Sequence, residues 1–419
     1  MSRLLLTAWM WSWALPAIAQ DPKGLVYDPN PAVAQGQTSE VSLEDLDGDK
    51  TLLNGSKCRV ISCQNESGSC IPAQHAVADE NGDFLYEPDE TSEVDPFAEV
   101  NSYFHLWRAA KYFETHLDVS WNCPCGTNAL PVFLNYAFDQ AEFSGFTGYV
   151  SNQCESFQCG SMLLGKGVAQ DGTTHNFAYD GDVIYHEYTH GIIDERNGNL
   201  GVLFDAMGAS FEPGAVREGG ADYFAATIGG DPLIAESLAG IGFWPEAEAL
   251  RSLDQFWQCP RDLTGNPHKD GRILGAALWD IRELLMSEIS DALILQTLVD
   301  IGPEPTFAIV SESLLQRMSE LEEDGVVNAS QVQEVSQMLE HYGLTDCQRI
   351  VPLTEEEHIA YGGDPYLTIQ AEKLAPVHFS VDIADDVNEV DFTLRTLTGI
   401  AGHTLYVRNN VPVEIRDQG

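Results

Sequence analysis

The stretch Asp180-Gly-Asp-Val-Ile-Tyr-His186-Glu187-Tyr-Thr-His190 decides how this chain is read. On a helix, positions i and i+4 share a face, so His186 and His190 offer two imidazole nitrogens to one metal ion. Glu187 lies about 100° round the same helix, near enough to handle a proton without being a ligand. Asp180 to Asp182 supply a helix cap, and Val183, Ile184, Ile192 and Ile193 give the helix faces to bury. Further on, Glu218 and Asp222 are again i and i+4, on a second helix expected to open after Pro213-Gly214 and to end at Gly229-Gly230. One carboxylate is placed to bind metal, the other to hold a ligand histidine by its second nitrogen. Two histidines and a glutamate with one position left for water is the donor set of a catalytic zinc site.

His268 stands in a loop rich in glycine and proline, Thr264-Gly-Asn-Pro-His268-Lys-Asp-Gly271, ahead of a helical run expected from about Arg272. Residues 20–95 read as β-rich and irregular, punctuated by Asp45-Leu-Asp-Gly48, Leu53-Asn-Gly55 and Asn81-Gly82. From Pro96 to Leu117 the apolar positions Phe97, Val100, Tyr103, Phe104, Leu106, Trp107, Ala110 and Phe113 fall at helical spacing, a core stripe. Short strands and loops return over 118–180, among them Pro131-Val-Phe-Leu-Asn135. Helices are expected to dominate from 182 to about 350. Residues 366–419 alternate again, as in His378-Phe-Ser-Val-Asp-Ile383 and Thr404-Leu-Tyr-Val-Arg408, and read as a β module behind a 352–365 linker.

Met1 to Ala19 has one basic residue, Arg3, then an apolar run closing on Ala17-Ile-Ala19. That is a signal-peptide pattern with the mature chain expected from Gln20, and the protein is expected to be secreted. No later stretch is long and apolar enough for a membrane span. The net charge is −44, from 65 acidic against 21 basic residues, which excludes nucleic acid and anionic lipid as partners. Acidity also suits calcium, and Asp79…Asp83…Glu87…Glu90 has suitable intervals. However, Gly82 falls two places before the required turn glycine, so Asn81-Gly82 is read as a hairpin turn between short strands.

Nine cysteines follow the leader, mostly as disulfides in an exported chain. Cys154 with Cys159, and two of Cys58, Cys63 and Cys70, are candidate short staples. An odd number leaves at least one thiol free or joined to another molecule. Cys123-Pro-Cys125 has no second pair at zinc-ribbon spacing and reads as structural.

His186-Glu-Tyr-Thr-His-Gly191, Glu218-Gly-Gly-Ala-Asp-Tyr-Phe224 and His268…Gly271…Ala276-Ala-Leu-Trp-Asp-Ile-Arg282 together resemble the thermolysin–fungalysin class of zinc metallopeptidases, the fungalysin side in particular. The likeness runs from about 96 to 350, with three motifs in the family's order. It implies an α+β, two-lobed fold: a β-rich upper lobe over 96–181, a helical lower lobe over 182–352, and Zn2+ in the cleft between them. It implies internal cleavage of peptide bonds in protein or peptide substrates, by a chain expected to be a monomer. His186, His190 and Glu218 would be the ligands, Glu187 the general base and Asp222 the partner of a ligand histidine. His268 would be the donor to the transition-state oxyanion. Metzincins differ, since Ile193 and Arg196 occupy their last two marked positions, and no Gly-x-Met-Glu-Asn segment of the gluzincin aminopeptidases is present.

The chain also departs from the pattern. The family's Asn-Ala edge-strand segment, which holds substrate backbone, has its nearest counterpart in Gln140-Ala141. Asp262 is a loose candidate for the acid that orients His268. The long inhibitory pro-region of the family is missing, and the C-terminal segment resembles a small appended β-sandwich that stops early.

Overall fold

The computed structural model describes residues 21–353 and 375–414, except 49, 67–68, 93, 122–128, 136–160, 169–173, 199–200, 240–247, 386, 388, 391–403 and 410. Residues 1–20, which include the leader expected over 1–19, and Gln140, Ala141, Cys123, Cys125, Cys154 and Cys159 lie outside these. Helices and small sheets are mixed, with seven α-helices among the described residues: α1 (Pro96–Leu117), α2 (Gly181–Asn197), α3 (Glu212–Gly229), α4 (Pro267–Leu285), α5 (Ser287–Asp300), α6 (Phe307–Glu323) and α7 (Ala329–His341).

Each helix near the metal-type donors starts and stops for a local reason. Asp95 caps α1 by accepting from Ala98 N, with Pro96 pre-set for the first turn. Asp180 does the same for α2 through Asp182 N, and Gly198 ends it at φ 65°. α3 opens at Glu212, one residue before the expected proline, and Gly230 closes it at φ 97°. α4 opens at Pro267 rather than at Arg272. Asn266 accepts from Lys269 N and the proline suits the first turn, so His268 lies on the helix and not in the loop.

α1 buries Phe97, Tyr103, Leu106 and Phe113 completely or nearly so, each worth about 1.5–3 kcal/mol against exposure. It shares one core with α2–α5 and with a four-stranded sheet. That sheet runs in the order Ser69–Ala73, Cys58–Glu66, Leu130–Leu134, Met162–Leu164. The first pair is antiparallel and the other two are parallel. Val60, Val132 and Leu134 face the main core, while Ile61, Cys63 and Phe133 pack on the other side.

The N-terminal residues are woven into this core. The Cys58–Glu66 strand is interior to the sheet, paired with the strand at 130–134. Asp28 grips Arg108 of α1 with both oxygens at 2.6 and 2.8 Å, and Tyr27 N donates to Asn101 at 2.9 Å. Fully buried Asn30 donates to Asp182 of α2 at 3.3 Å and to Glu236 at 2.8 Å.

Two expectations change, at residues 79–83 and at the C-terminal end, while the cysteines fill in a pairing the sequence left open. Residues 79–83 form a turn, with Asp79 accepting from Asn81 N and Asp83 N, but no strands flank it; the Asp79 carboxylate is spent on the turn itself. Cys58 is a free, buried thiol, Cys63 is disulfide-bonded, and a long-range bridge joins Cys259 to Cys347. Closing 88 residues of separation, that bridge is worth roughly 4–5 kcal/mol on loop entropy. At the C-terminal end, His378–Val381 pairs in parallel with Ile350–Leu353, whereas residues 404–408 form no strand, since no described segment pairs with them.

Candidate metal centre

α2 turns His186, Glu187 and His190 to one buried spot. These three are the one group of metal-type donors found within 4.8 Å of each other among the described residues. α3 brings Glu218 to the same spot. His186 Nε2 lies 3.0 Å from His190 Nε2 and 3.2 Å from one Glu218 oxygen, and His190 Nε2 lies 3.6 Å from the other. Ligands about 2.0–2.1 Å from a tetrahedral zinc are separated by roughly 3.3 Å. Each distance is close to that spacing, the two to Glu218 running to different oxygens of its carboxylate, and the donor set fits the ion.

Glycine makes that approach feasible. A Cβ at Gly219 would stand 2.5 Å from Gly271 O, and one at Gly271 would stand 3.0 Å from Glu218 Cβ. Only bare backbone lets α3 and α4 run this close. α4 thereby sets His268 Nε2 3.4 Å from Glu218. His268 stays partly open, with 45% of its side chain exposed, as a group that meets a substrate must be.

Electrostatics separate the roles. Burial opposes charge on His186, yet Asp222 and Glu218 raise it to about 10. Burial pulls His190 down to about 4 against the opposing effect of Glu218. Burial would raise Glu218, but the His268 and His190 imidazoles hold it well below the usual carboxylate range, in the charged form a ligand needs. Glu187 is different: burial lifts it to about 8 against the pull of His186. Its Oε2 is buried with no hydrogen-bond partner, and so is His190 Nδ1. A buried carboxyl with an unpartnered oxygen is chemically suited to take up and release a proton.

Asp222 Oδ1 lies 2.8 Å from His186 Nδ1, which leaves Nε2 of that ring aimed at the metal position. Arg251 holds Asp222 in turn, through Nε at 2.6 Å and an Nη at 2.7 Å. Burial would raise Asp222, but Arg251 and His186 bring it to about 2. Arg251 was not found from the sequence. The one signal for it was the need of a fully buried Asp222 for a counter-charge.

Asp262 does not orient His268. Its carboxylate accepts from Gln258 N at 2.8 Å and from Arg261. Asp270, four residues nearer the helix interior than the loop that holds Asp262, instead secures that loop by accepting from Thr264 N and Gly265 N. Upstream, Asp180 and Asp182 are buried beside Ser237, Asn30 and the Ala235 amide, and fix the start of α2.

No protein-family model matches the chain, and no curated protein matches it. Among solved structures it is similar to the precursor of protealysin, a metalloproteinase from Serratia proteamaculans. The identity is 16% and the TM-score 0.47, over 72% of this chain and 92% of that one. At that level the functional reading rests on the side chains just described.

Proposed function

We propose that the chain is a zinc-dependent endopeptidase of the thermolysin-like class, exported through its N-terminal leader. The carrying observation is the convergence of His186, His190 and Glu218 at 3.0–3.6 Å with Glu187 beside them. Placement on the fungalysin side, the two-lobed division at about residue 181 and action on internal peptide bonds rest on the sequence motifs. So do secretion and the monomeric state.

Bound zinc supplies a Lewis acid and a water of lowered pKa. Glu187 Oε2 accepts the proton of the attacking water. This oxygen, buried and without a hydrogen-bond partner, is free to take that proton and then pass it to the leaving amine. His268 Nε2 donates to the carbonyl oxygen as negative charge develops there. Asp222 and Arg251 keep His186 in one tautomer and orientation.

The test is Glu187→Gln in the full chain. Zinc content should match the unaltered protein while casein hydrolysis disappears; hydrolysis at the original rate would end the assignment. The alternative is a secreted, zinc-stabilised binding protein without activity. Retention of both Glu187 and His268 beside the donor set weighs against it, and a zinc-loaded chain that cleaves no protein would favour it.

A further inference from the structure

We propose that the Arg217–Asp194 ion pair is a positioning clamp for the metal centre, setting the gap between His190 and Glu218 and with it the affinity for zinc. The proposal deepens the proposed function and rests on its zinc site, not on peptide cleavage.

The helices α2 and α3 pass in opposite directions, and three successive turns of α2 each meet α3. His186 Nδ1 lies 2.8 Å from Asp222, His190 Nε2 lies 3.6 Å from Glu218, and Asp194 Oδ2 lies 2.5 Å from an Arg217 Nη. Residues 186, 190 and 194 follow one another at intervals of four, on one face of α2. The donors therefore occupy the middle of a ladder whose two outer rungs are polar pairs. Asp194 is one turn beyond His190, and Arg217 is the residue before Glu218. A change in this rung passes directly to both ligands.

Stability alone does not account for the pair. Asp194 Oδ1 and Arg217 Nε are buried and have no hydrogen-bond partner. A partly buried ion pair gains Coulomb energy only against the cost of desolvation, and unsatisfied atoms add to that cost. Apolar side chains would hold two helices together at least as well. A charge-assisted contact does something else: it fixes separation and register within a narrow range. Burial raises the Asp194 carboxyl to about 6 against the pull of Arg217, so the pair is ionic at neutral pH. Its two charges offset each other, so the clamp joins the helices without leaving an unpaired cation beside a metal ligand.

The experiment measures zinc affinity of the full chain at neutral pH by competition with a chromogenic chelator, alongside thermal melts of the metal-free protein. Asp194→Ala and Arg217→Met should each weaken zinc binding by about 10–100-fold, the usual cost of losing outer support for a ligand. The double variant should be no weaker than the weaker single, because the same rung is lost once. Arg217→Lys keeps a cation that can reach Asp194 and should fall between them and the unaltered protein. That variant gives the comparison by itself if a truncated chain does not fold. With Co2+ in place of zinc, the visible absorption, which reports ligand geometry, should shift in both single variants and return toward the original in Arg217→Lys.

Opposite signs overturn the clamp. If the residues act only as charges, losing Asp194 leaves a cation that weakens zinc binding, whereas losing Arg217 leaves an anion that tightens it. Equal affinities throughout, with only the metal-free melts lowered, make the pair a structural support and overturn the clamp as well. Casein hydrolysis by the unaltered chain separates the two readings. Tight zinc without hydrolysis removes the peptidase assignment, while the affinities still decide the clamp. Unchanged affinities in an active enzyme remove the clamp alone, and a chain that takes up no zinc removes both.

Discussion

Asp222 stands between His186 and Arg251, 2.8 Å from the imidazole Nδ1 and 2.6–2.7 Å from the guanidinium. Its buried charge is thus shared between orienting a metal donor and satisfying an arginine. Removing the arginine leaves Asp222 buried with half its partners, so the imidazole is held less firmly. Arg251→Gln should weaken zinc binding about 10–100-fold, the usual cost of losing such outer support. Competition with a chromogenic chelator measures it. An unchanged affinity would mean that Arg251 does not act through His186.

His268 makes a different kind of contribution. It reaches Glu218 at 3.4 Å, lies outside the buried group formed by His186, Glu187 and His190, and stays partly open to solvent. His268→Ala should keep zinc at full occupancy and lower kcat by about 10²–10³, with KM less affected. If zinc is lost along with activity, the residue is a ligand or a structural support instead.

The placement of these side chains was legible in the sequence because helical spacing is strict: His186/His190 and Glu218/Asp222 each fall one turn apart, on α2 and α3. The α1 stripe was legible for the same reason, and its observed bounds are those of the pattern. What could not be read were contacts between residues far apart in the chain. Arg251 meets Asp222 from a two-residue strand that has no hydrophobic period. Cys259 finds Cys347 across 88 residues, while Cys58, close in sequence to Cys63, stays unpaired. The start of α4 was misplaced because Pro267 looks like a breaker, although proline at a first turn is compatible with a helix.

The N-terminal region read from the sequence as β-rich and irregular, 20–95, carries another prediction. Val26, Leu43, Leu53, Val60 and Phe84 from this segment are buried in the main core. At about 1.5–3 kcal/mol each, they match the whole net stability of an ordinary domain, about 5–15 kcal/mol. Purified active protein should therefore retain them. Intact mass and N-terminal sequencing should find a start no later than Lys23, and a chain begun at Pro96 should be insoluble or lack a cooperative melt. An active species beginning near residue 96 would refute this.

Asp180 links stability to pH at a point two turns from the nearest donor. It caps α2 while fully buried. Burial, reinforced by Glu236, raises its carboxyl to about 7 despite the bond from Ser237. In the unfolded chain an aspartate titrates at about 3.9. Between those values the folded chain holds a proton on Asp180 that the unfolded chain has released, so this group's contribution to stability is most favourable below about pH 4 and falls as pH rises toward 7. Asparagine caps a helix as well as aspartate but carries no charge. Asp180→Asn should thus gain melting temperature relative to the unaltered protein on going from pH 5 to pH 8. Glu212 and Asp270 are common to both proteins, and their own titrations largely cancel in that difference. Buried Asp182, raised by burial and then by Asp180, is relieved by the substitution and adds to the difference with the same sign. Thermal melts of the pair at the two pH values decide it, and a constant gap would show that Asp180 titrates normally.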